Sequence, residues 1–526
     1  MVGMRAKIGG IVGLFVLSAP VAGDLVIGGD PRVDPGDFRI TTFANGLNYP
    51  LGMTELADGS ILVAVSRGSR FWETSSGRLI RLADTDDDGV ADSETVLFDG
   101  VPGGRLTAVR TAGSLILTCG FGSPISILRP GAAPDAPLTL IGSVEISYPD
   151  RWMHRNSALG VRESPGRPGS YDLIFQLGSE ENFITTERTL PLSSDIGLSG
   201  DLKGDAVHMF TITDHGDSVT GSDLVQIATG LRNAAGFAFH PENGDLYLQD
   251  NGIDGLEDGN EAHSADEINV IPIDAIGGAV DDFGFPDNYV AYRSGEFVGG
   301  GGVPPLIAFL PLPDPQNGEE SEGPSDIAFA PPGFPSEFSM GLFVGFHGKG
   351  SAGPDNEENP LVFVDLDSGH YFHFVDNDQP GIGHLDGLLA TDNDLYVADL
   401  SRKGSLDAAN QGVIYQIRSG MSTAVEEAAS DQVPLQVELA PAYPNPFNGR
   451  TSIRFAVPDA GEVRMTVYSL AGQRVATLID GLRDAGSYTV RWDGRNDDGR
   501  RLGSGVYLYQ LRVAERIWTR KLMLLQ

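Results

Sequence analysis

The stretch GLRNAAGFAFHPENGDLYLQDN, residues 230–251, consists of two short apolar segments separated by a polar turn. The segments are Gly236-Phe-Ala-Phe239 and Leu246-Tyr-Leu248, and the dipeptide Asn243-Gly244 lies between them. Asn-Gly pairs tolerate the positive φ angles that tight hairpin turns require. The stretch therefore predicts a β-hairpin.

Similar hairpin patterns recur along residues 37–418. Six copies begin near Gly52, Leu106, Ser157, Ala235, Ser325 and Asp386. Repeated strand pairs at irregular spacing are typical of propeller blades, whose radial stacking protects the edges that separate hairpins would expose. We predict an all-β chain in which residues 24–418 form a six-bladed β-propeller; a pair of β-sandwiches is the alternative. Residues 179–220 and 253–325, between the hairpins, are expected to be loops on one face, where a propeller places its binding site.

The composition agrees with many short strands joined by tight turns. The 526 residues include 69 glycines and 33 prolines without a collagen-like period. A formal net charge of -36 argues against nucleic-acid binding, because phosphate recognition needs a basic surface. Cys119 is the only cysteine, so no intramolecular disulfide can form.

The two ends of the chain differ from the repeated region. Residues 1–23 are typical of a signal peptide, with Arg5 and Lys7 before an apolar run that is too short for a membrane anchor. We therefore expect export, no transmembrane anchor after cleavage, and a secreted or cell-surface location. Residues 419–438 are polar and acidic and predict a linker, while the alternating strands of residues 439–526 predict a small β-sandwich.

An acidic loop in the first hairpin region has the spacing of a cation site. Asp84, Asp86 and Asp88 alternate with other residues, Gly89 permits a sharp bend, and Asp92 follows. Oxygen-rich loops of this kind wrap a hard cation, so we predict Ca²⁺ here, with an ordinary acidic turn as the alternative. The twelfth position of the loop is a threonine rather than glutamate, so the loop is not a complete EF-hand.

Several blocks of the repeated region occur together in one known family. Residues 230–251 are followed by Asp266-Glu-Ile-Asn269 and Phe283-Gly-Phe-Pro286. In this order they resemble the glucose/sorbosone dehydrogenase family, six-bladed propellers that use pyrroloquinoline quinone (PQQ) with Ca²⁺. Residues 323–348 and 395–417 resemble two further blocks of that family, so the resemblance covers most of residues 37–418.

The resemblance implies roles for two side chains in the chemistry. His154, in Trp152-Met-His154-Arg-Asn156, is similar in place to the family's catalytic base, which removes a hydroxyl proton while hydride passes to the quinone. Its alternative is a loop histidine bonded to backbone. Arg232 matches a family arginine that can stabilise the reduced quinone oxygen, or else it holds two blades together through carbonyl groups.

Other implied roles concern the cofactor. Asn233 matches the family's cofactor-facing asparagine, and Asn251 and Gly252 align with the turn whose carbonyl groups bind the cofactor Ca²⁺. Asp266 and Glu267 would brace the neighbouring loop. Lys349, after His347-Gly348, would contribute a positive charge to the quinone.

One segment departs from the family pattern. Where quinone-binding members often carry R-x-R-D, this chain has Gly383-His-Leu-Asp386. Our first hypothesis is an exported PQQ-dependent dehydrogenase-like oxidoreductase acting on a sugar or alcohol. The alternative is a non-catalytic, calcium-stabilised surface propeller that binds carbohydrate or protein.

The last segment carries a second resemblance. Tyr443-Pro-Asn-Pro-Phe-Asn448, Trp492-Asp-Gly494 and Gly503-Ser-Gly-Val-Tyr507 follow one another over about 85 residues. This order is similar to the C-terminal sorting domain of type IX secretion substrates and to the Ig-like domain of flagellar hook capping proteins. It implies an outer-membrane secretion machinery as partner; the alternative is a module that only caps or tethers the propeller. Trp492 is expected in the sandwich core.

Overall fold

The chain divides into two compact units, with the boundary between Ser419 and Gly420. The computed structural model describes residues 25–28, 32–102, 105–256, 261–348, 358–377, 379, 381–402, 404–420, 426–428, 437–439, 451–458, 460–469, 472–483, 485–492, 494–496, 500, 502–513 and 516–524. Among them the helical elements are three short 3₁₀ turns, Pro35–Asp37, Phe71–Glu73 and Ser336–Phe338. The predicted signal peptide, Lys349 and residues 443–448 lie outside the described residues.

Six sheets of the first unit are numbered here as blades in chain order, and the four main strands of each blade pair antiparallel. The first three blades contain the strands Pro50–Glu55, Ile61–Ser66, Ser76–Ala83 and Ser93–Pro102; Leu106–Ala112, Leu115–Gly120, Ile125–Arg129 and Thr139–Ile146; and Leu159–Glu163, Ser170–Leu177, Ala206–Asp214 and Val219–Thr229. The next two contain Gly236–Phe239, Leu246–Asp250, Asp266–Ile271 and Ile307–Phe309; and Pro324–Phe329, Leu342–Phe346, Leu361–Asp365 and His370–Val375. The sixth contains Gly387–Ala390, Asp394–Asp399, Gly412–Ser419 and, as its outer strand, Phe38–Leu47.

The ring closes through this sixth blade, because its outer strand comes from the beginning of the unit. Phe38–Leu47 pairs antiparallel with Gly412–Ser419 over the whole length of the latter. The first strand of each blade contacts the first strands of both neighbouring blades, including the sixth against the first. These findings confirm the predicted six-bladed propeller and exclude a pair of β-sandwiches for residues 38–419.

The first strands approach one another closely, which explains small residues at their centre. A Cβ atom on Gly236 would lie 2.5 Å from the carbonyl oxygen of Ser325 in the next blade, and one on Gly387 would overlap the carbonyl oxygen of Leu51. Glycine is therefore needed where the strands converge.

The expectation that residues 179–220 are loops is wrong for most of the segment. Thr189–Ser194 and Ser199–Lys203 form a hairpin that extends the second blade, with Leu192 opposite Ile146. Alternate leucines of this hairpin are buried, and this apolar face gives the segment a reason to pack as strands. Residues 253–325 are more irregular, although they supply the two outer strands of the fourth blade and a small hairpin, Tyr289–Val290 with Phe297–Val298.

The second unit is a sandwich of two four-stranded sheets. In sheet order they are Glu426–Ala428, Gly486–Trp492, Thr451–Val457 and Glu438–Leu439; and Arg474–Arg483, Gly461–Ser469, Gly505–Val513 and Arg516–Leu524. Trp492 is buried in the core between them, as expected. Glu426–Ala428 lies within the segment for which the sequence predicts a linker, and it pairs with Gly486–Trp492.

Candidate functional site

Loops of neighbouring blades are joined at one end of the propeller. These loops are the segments before each first strand and after each second strand, which antiparallel order brings to the same end. The amide of Gly122 donates to the carbonyl of Asn156 in the next blade, and the amide of Ser179 donates to the carbonyl of Arg232. His154, Arg232, Asn233, Asn251 and Gly252 all lie in these loops.

His154 lies in the loop before the first strand of the third blade. The imidazole is 8% exposed, and its Nδ1 is 2.8 Å from the hydroxyl oxygen of Ser179. That hydroxyl donates its own proton to the carbonyl of Glu181 at 2.7 Å. Since a hydroxyl has one proton to give, Ser179 accepts from Nδ1–H, and the lone pair of His154 is on Nε2.

Burial and charge both keep His154 neutral. Burial is the larger cause that holds the pKa of His154 well below its usual value, and the positive charge of Arg232 lowers it further. At neutral pH the imidazole is therefore available to accept a proton, although its low pKa makes it a weak base.

Arg232 bridges loops of the third and fourth blades. Its Nη2 donates to Asn182 Oδ1 at 2.9 Å, its Nε donates to the carbonyl of Asn182 at 3.2 Å, and its Nη1 donates to the carbonyl of Asn251 at 3.4 Å. Nη2 also pairs with Asp254 at 2.6 Å, where the carboxylate is largely exposed. The guanidinium thus holds two blades together through carbonyl groups, the alternative role weighed above, while its only carboxylate partner among the described residues lies at the surface.

A buried aspartate positions the backbone of this segment. Asp250 accepts hydrogen bonds from the amides of Arg232 at 2.9 Å and Asn233 at 2.5 Å. Burial raises the pKa of Asp250 to about 6, and the hydrogen bonds from the two backbone amides oppose that rise. The Asn233 side chain donates to Asn251 Oδ1 at 2.6 Å, which ties the two predicted cofactor residues to each other.

Asp266 fixes the turn at Gly252. Its carboxylate accepts from the amide of Gly252 at 2.7 Å and from the amide of Gly323 at 2.9 Å. A Cβ atom on Gly252 would lie 2.7 Å from the carbonyl oxygen of Ala265, so a glycine is required there. Glu267, by contrast, accepts a hydrogen bond from the nearby side chain of Asn269 at 3.4 Å.

Arg105 was not singled out from the sequence, although it lies at the same end. Its guanidinium stacks between Phe121, at 4.0 Å from the ring centre, and Trp72, at 4.6 Å. Burial lowers the pKa of Arg105 to about 10, and Arg155 lowers it further. No carboxylate of the described residues forms an ion pair with it, so Arg105 offers a positive charge flanked by aromatic rings.

The structure explains the departure at residues 383–386. A Cβ atom on Gly383 would overlap the carbonyl oxygen of Ser401, so no side chain fits there. His384 is fully buried, with its two ring nitrogens 2.6 Å and 2.9 Å from the carbonyl oxygens of His347 and Gly404. This segment therefore contributes no cation to the surface of the site.

The acidic loop lies at the opposite end, between the third and fourth strands of the first blade. One carboxylate oxygen each of Asp84, Asp86 and Asp92 lies within 4.8 Å of the others. Asp88 is outside this group, and its carboxylate accepts from the amide of Val90 at 2.8 Å. Asp84 Oδ1 is buried without a hydrogen-bond partner among the described residues, an arrangement that suits a cation ligand.

Three residues that position the predicted site residues were not predicted from the sequence, namely Ser179, Asn182 and Asp250. A signal for Asp250 exists, because Asp-Leu-Tyr-Leu-Gln-Asp250 and Asp-Leu-Tyr-Val-Ala-Asp399 repeat one pattern. No comparable pattern marks Ser179 or Asn182, which meet their partners only through the contact between two blades.

Comparison with known proteins finds a family model that matches part of the second unit. Residues 445–516 match the family of FlgD Ig-like domains. The FlgD Ig-like match agrees with the sandwich described above and covers none of the propeller. A protein of Borreliella burgdorferi described as uncharacterized is 31% identical over 159 residues, which are 27% of this chain. The chain spans 35% of the length of that relative.

Several solved structures resemble the propeller at low sequence identity. A calcium structure of the Trichoderma reesei carbohydrate-active enzyme family AA12 is 15% identical, with a TM-score of 0.47, over 76% of this chain and 98% of that chain. The holo form of the pyranose dehydrogenase PQQ domain from Coprinopsis cinerea is 16% identical, with a TM-score of 0.45, over 72% and 95%. A putative oxidoreductase (glucose dehydrogenase) from Thermus thermophilus is 16% identical, with a TM-score of 0.40, over 72% and 99%. Similarity at this level establishes no activity for this chain.

In the part of the chain that the structure describes, no helix has the length and apolar character needed to cross a membrane.

Proposed function

We propose that the propeller is a quinone-dependent dehydrogenase-like oxidoreductase that oxidises a hydroxyl group of a sugar or alcohol. The observation that carries the proposal is the arrangement of His154, with its Nε2 lone pair, beside Arg232 and in the same set of loops as the Asn251–Gly252 turn. His154 would take the hydroxyl proton of the substrate. Because Arg232 disfavours the imidazolium, that proton would pass on to solvent rather than stay on the ring.

The donor groups suit an anionic, planar cofactor such as PQQ. Arg105 offers a guanidinium without a carboxylate partner among the described residues, between two aromatic rings. We propose that Arg105 holds a carboxylate of the cofactor, that Arg232 and Asn233 face its quinone oxygens, and that the carbonyl groups of Asn251 and Gly252 bind its Ca²⁺. When bound, PQQ would accept the hydride from the substrate carbon. Lys349 remains a proposed contributor of charge.

The test uses the full chain with PQQ and Ca²⁺. We expect quinone binding at micromolar concentrations and reduction of a redox dye with at least one aldose or alcohol of a panel. His154→Gln should keep quinone binding and lower turnover by about 10²–10⁴-fold, the usual contribution of a general base. His215→Gln is the matched control, because His215 is exposed in a loop at the opposite end. Absence of quinone binding by the unaltered chain would refute the proposal.

A second candidate function is binding without catalysis, and the Gly383 segment favours it. The position cannot carry a side chain, so the basic pair typical of quinone-binding relatives is missing. Trp72 is 51% exposed at the same end and could stack on a sugar ring. This alternative predicts carbohydrate binding that Trp72→Ala abolishes, together with no uptake of quinone.

For the second unit we propose a role in export, with the outer-membrane secretion machinery as partner and the cell surface or medium as destination. The order of motifs in residues 443–521 and the FlgD Ig-like match support this proposal. Deletion of residues 439–526 should leave the propeller inside the cell envelope, as measured by fractionation. Unchanged surface delivery of the shortened chain would favour a role as a tether.

A further inference from the structure

A second group of acidic side chains lies at the candidate-site end, outside the site described above. Glu320 and Glu322 precede the first strand of the fifth blade, and Glu358 precedes its third strand. One carboxylate oxygen from each residue lies within 4.8 Å of the others. The amide of Glu322 donates to the carbonyl of Glu358 at 3.2 Å, which holds the two segments together.

The nearby positive charge of Arg293 is paired with one member of the group. Arg293 pairs with Glu320 and Glu261, and it forms no ion pair with Glu322 among the described residues. Burial raises the pKa of Glu322 to about 8, and the negative charges of Glu358, Asp266, Glu320 and Glu261 raise it further.

Three polar atoms of this group and of neighbouring residues are buried without a hydrogen-bond partner among the described residues. They are Glu322 Oε1, the Tyr292 hydroxyl and Ser321 Oγ. Tyr292 and Ser321 are each 2% exposed. The pKa of Tyr292 is raised by burial first and then by the negative charges of Glu322 and Glu320, so its hydroxyl lies within the field of the same carboxylates. Buried polar atoms without partners are rare, and an ion or an ordered ligand is a common reason for them.

We propose that Glu320, Glu322 and Glu358 bind a divalent cation of the calcium type, in a site separate from the acidic loop and from the Asn251–Gly252 turn. The ligand set consists of oxygen atoms only, which favours a hard cation over Zn²⁺. Two oxygen ligands at about 2.3–2.6 Å from the same Ca²⁺ lie at most about 5 Å apart. The carboxylate oxygen atoms of this group, which lie within 4.8 Å of one another, are close enough to share one ion. The Tyr292 and Ser321 hydroxyls would bond a ligand or a water of the ion.

The site would act on the candidate active site through the backbone. Gly323 follows Glu322, and Asp266 accepts hydrogen bonds from the amides of both Gly323 and Gly252. A cation that fixes Glu322 therefore also limits the movement of the turn at Gly252.

The test measures Ca²⁺ binding to the metal-stripped full chain by calorimetry, without quinone or sugar. The background protein carries Asp84→Asn and Asp86→Asn, which remove Ca²⁺ binding by the acidic loop. In that background we expect one saturable Ca²⁺ site, which Glu322→Gln abolishes. Tyr292→Phe should weaken it by about tenfold, as loss of an outer partner of a metal ligand usually does.

Two control variants match these substitutions. Glu242→Gln removes an exposed glutamate at the opposite end, and Tyr289→Phe removes a hydroxyl that bonds His263 at 3.0 Å instead of facing the group. Both should bind Ca²⁺ as the background does. No saturable site in the background would refute the proposal. Equal Ca²⁺ binding by Glu322→Gln and Glu242→Gln would also refute the proposal. If Glu322→Gln does not fold, equal Ca²⁺ binding by Tyr292→Phe and Tyr289→Phe would refute it.

Discussion

Among the single residues of the site, Ser179 decides the protonation pattern of His154. Its hydroxyl is bonded on one side to the Glu181 carbonyl and on the other to Nδ1 of the imidazole. The ring nitrogen that could act as base is therefore chosen by a residue that lies one loop away and need not touch the substrate. Ser179 is a positioning residue in this account.

Replacing Ser179 with alanine should reduce kcat more than it changes KM. One lost hydrogen bond of about 0.5–1.5 kcal/mol corresponds to about a two- to tenfold decrease of kcat. The ¹⁵N chemical shifts of the His154 ring should also move from the Nδ1–H pattern toward a mixture. Ser179→Thr keeps the hydroxyl and should restore both properties; an unchanged ring spectrum in Ser179→Ala would contradict the assignment.

An aspartate at the end of a second strand positions the neighbouring loop in two blades. Asp250 ends the second strand of the fourth blade and accepts from the amides of Arg232 and Asn233. Asp399 ends the second strand of the sixth blade and accepts from the amides of Gly383 and His384, each at 2.9 Å. Both aspartates thus hold the segment before the first strand of their blade, and Asp399 accepts a further hydrogen bond from the amide of Ser401 at 3.0 Å. Gly383 thus occupies the place that Arg232 occupies two blades earlier.

A side chain at Gly383 should destabilise the sixth blade. Gly383→Ala forces Cβ against the Ser401 carbonyl, and overpacking of this kind costs about 1–3 kcal/mol. The free energy of unfolding from denaturant titration measures the effect. Gly300→Ala is the control, because nothing lies within 4 Å of a Cβ atom at that position. Equal stability of the two variants would show that the loop adapts without cost.

The acidic loop should make the first blade sensitive to chelators. Removal of Ca²⁺ with a chelator should lower the melting temperature, since a bound ion stabilises the folded state by mass action. Asp84→Asn should produce a similar decrease and make the chelator ineffective at this loop. Thermal melts of both proteins with and without added Ca²⁺ provide the measurement. A melting temperature that the chelator does not change would show that the loop is an ordinary acidic turn.

Two long-range connections stabilise the whole propeller. The strand Phe38–Leu47 closes the ring against the end of the unit. Arg110 and Asp326 form an ion pair at 2.9 Å between the first strands of the second and fifth blades, which are opposite in the ring. The pair joins positions 216 residues apart in the chain.

Loss of the Arg110 guanidinium should be costly. Arg110→Ala leaves the Asp326 carboxylate buried without its partner, and breaking a buried pair in this way costs about 3–5 kcal/mol. Chemical denaturation of the variant is the measurement. Arg167→Ala serves as control, because the pair of Arg167 with Asp223 is exposed and should contribute nothing measurable. Similar stabilities of the two variants would contradict the role of the pair across the ring.

The buried carboxyl groups predict how stability of the metal-free protein depends on pH. Burial raises the pKa of Asp266 to about 7 and of Glu267 and Glu322 to about 8, all above the values of the unfolded chain. The folded state then holds more protons than the unfolded state, so stability falls as pH rises through these values. Burial lowers the pKa values of His208, His373 and His384 to about 4. Near pH 6.5 these side chains therefore take up protons only in the unfolded chain, which opposes the decrease of stability there.

We therefore expect the free energy of unfolding to decrease from about pH 7 to about pH 8.5 in the presence of a chelator. Added Ca²⁺ should reduce the decrease, because a cation favours the ionised carboxylates. Denaturant titrations across this range provide the measurement, and stability that rises with pH would contradict the assigned pKa directions.

Much of the fold follows from the sequence alone, because alternation of apolar residues and turn-forming pairs such as Asn243-Gly244 are local properties of the chain. They are sufficient to predict the six hairpins and the core position of Trp492, whereas the residues around Arg232 were assigned only through the family resemblance. The strands of residues 189–203 were missed, because their apolar leucines acquire a partner only when the second blade is present.

The tertiary structure alone decided which distant groups meet. Three contacts join segments that are remote in the chain. They are the stacking of Arg105 on Trp72 and Phe121, the approach of Glu358 to Glu320 and Glu322, and the Arg110–Asp326 ion pair. No local pattern encodes such meetings, since they depend on how six sheets are arranged around one axis. Local chemistry determined the blades, and the closure of the ring determined the sites between them.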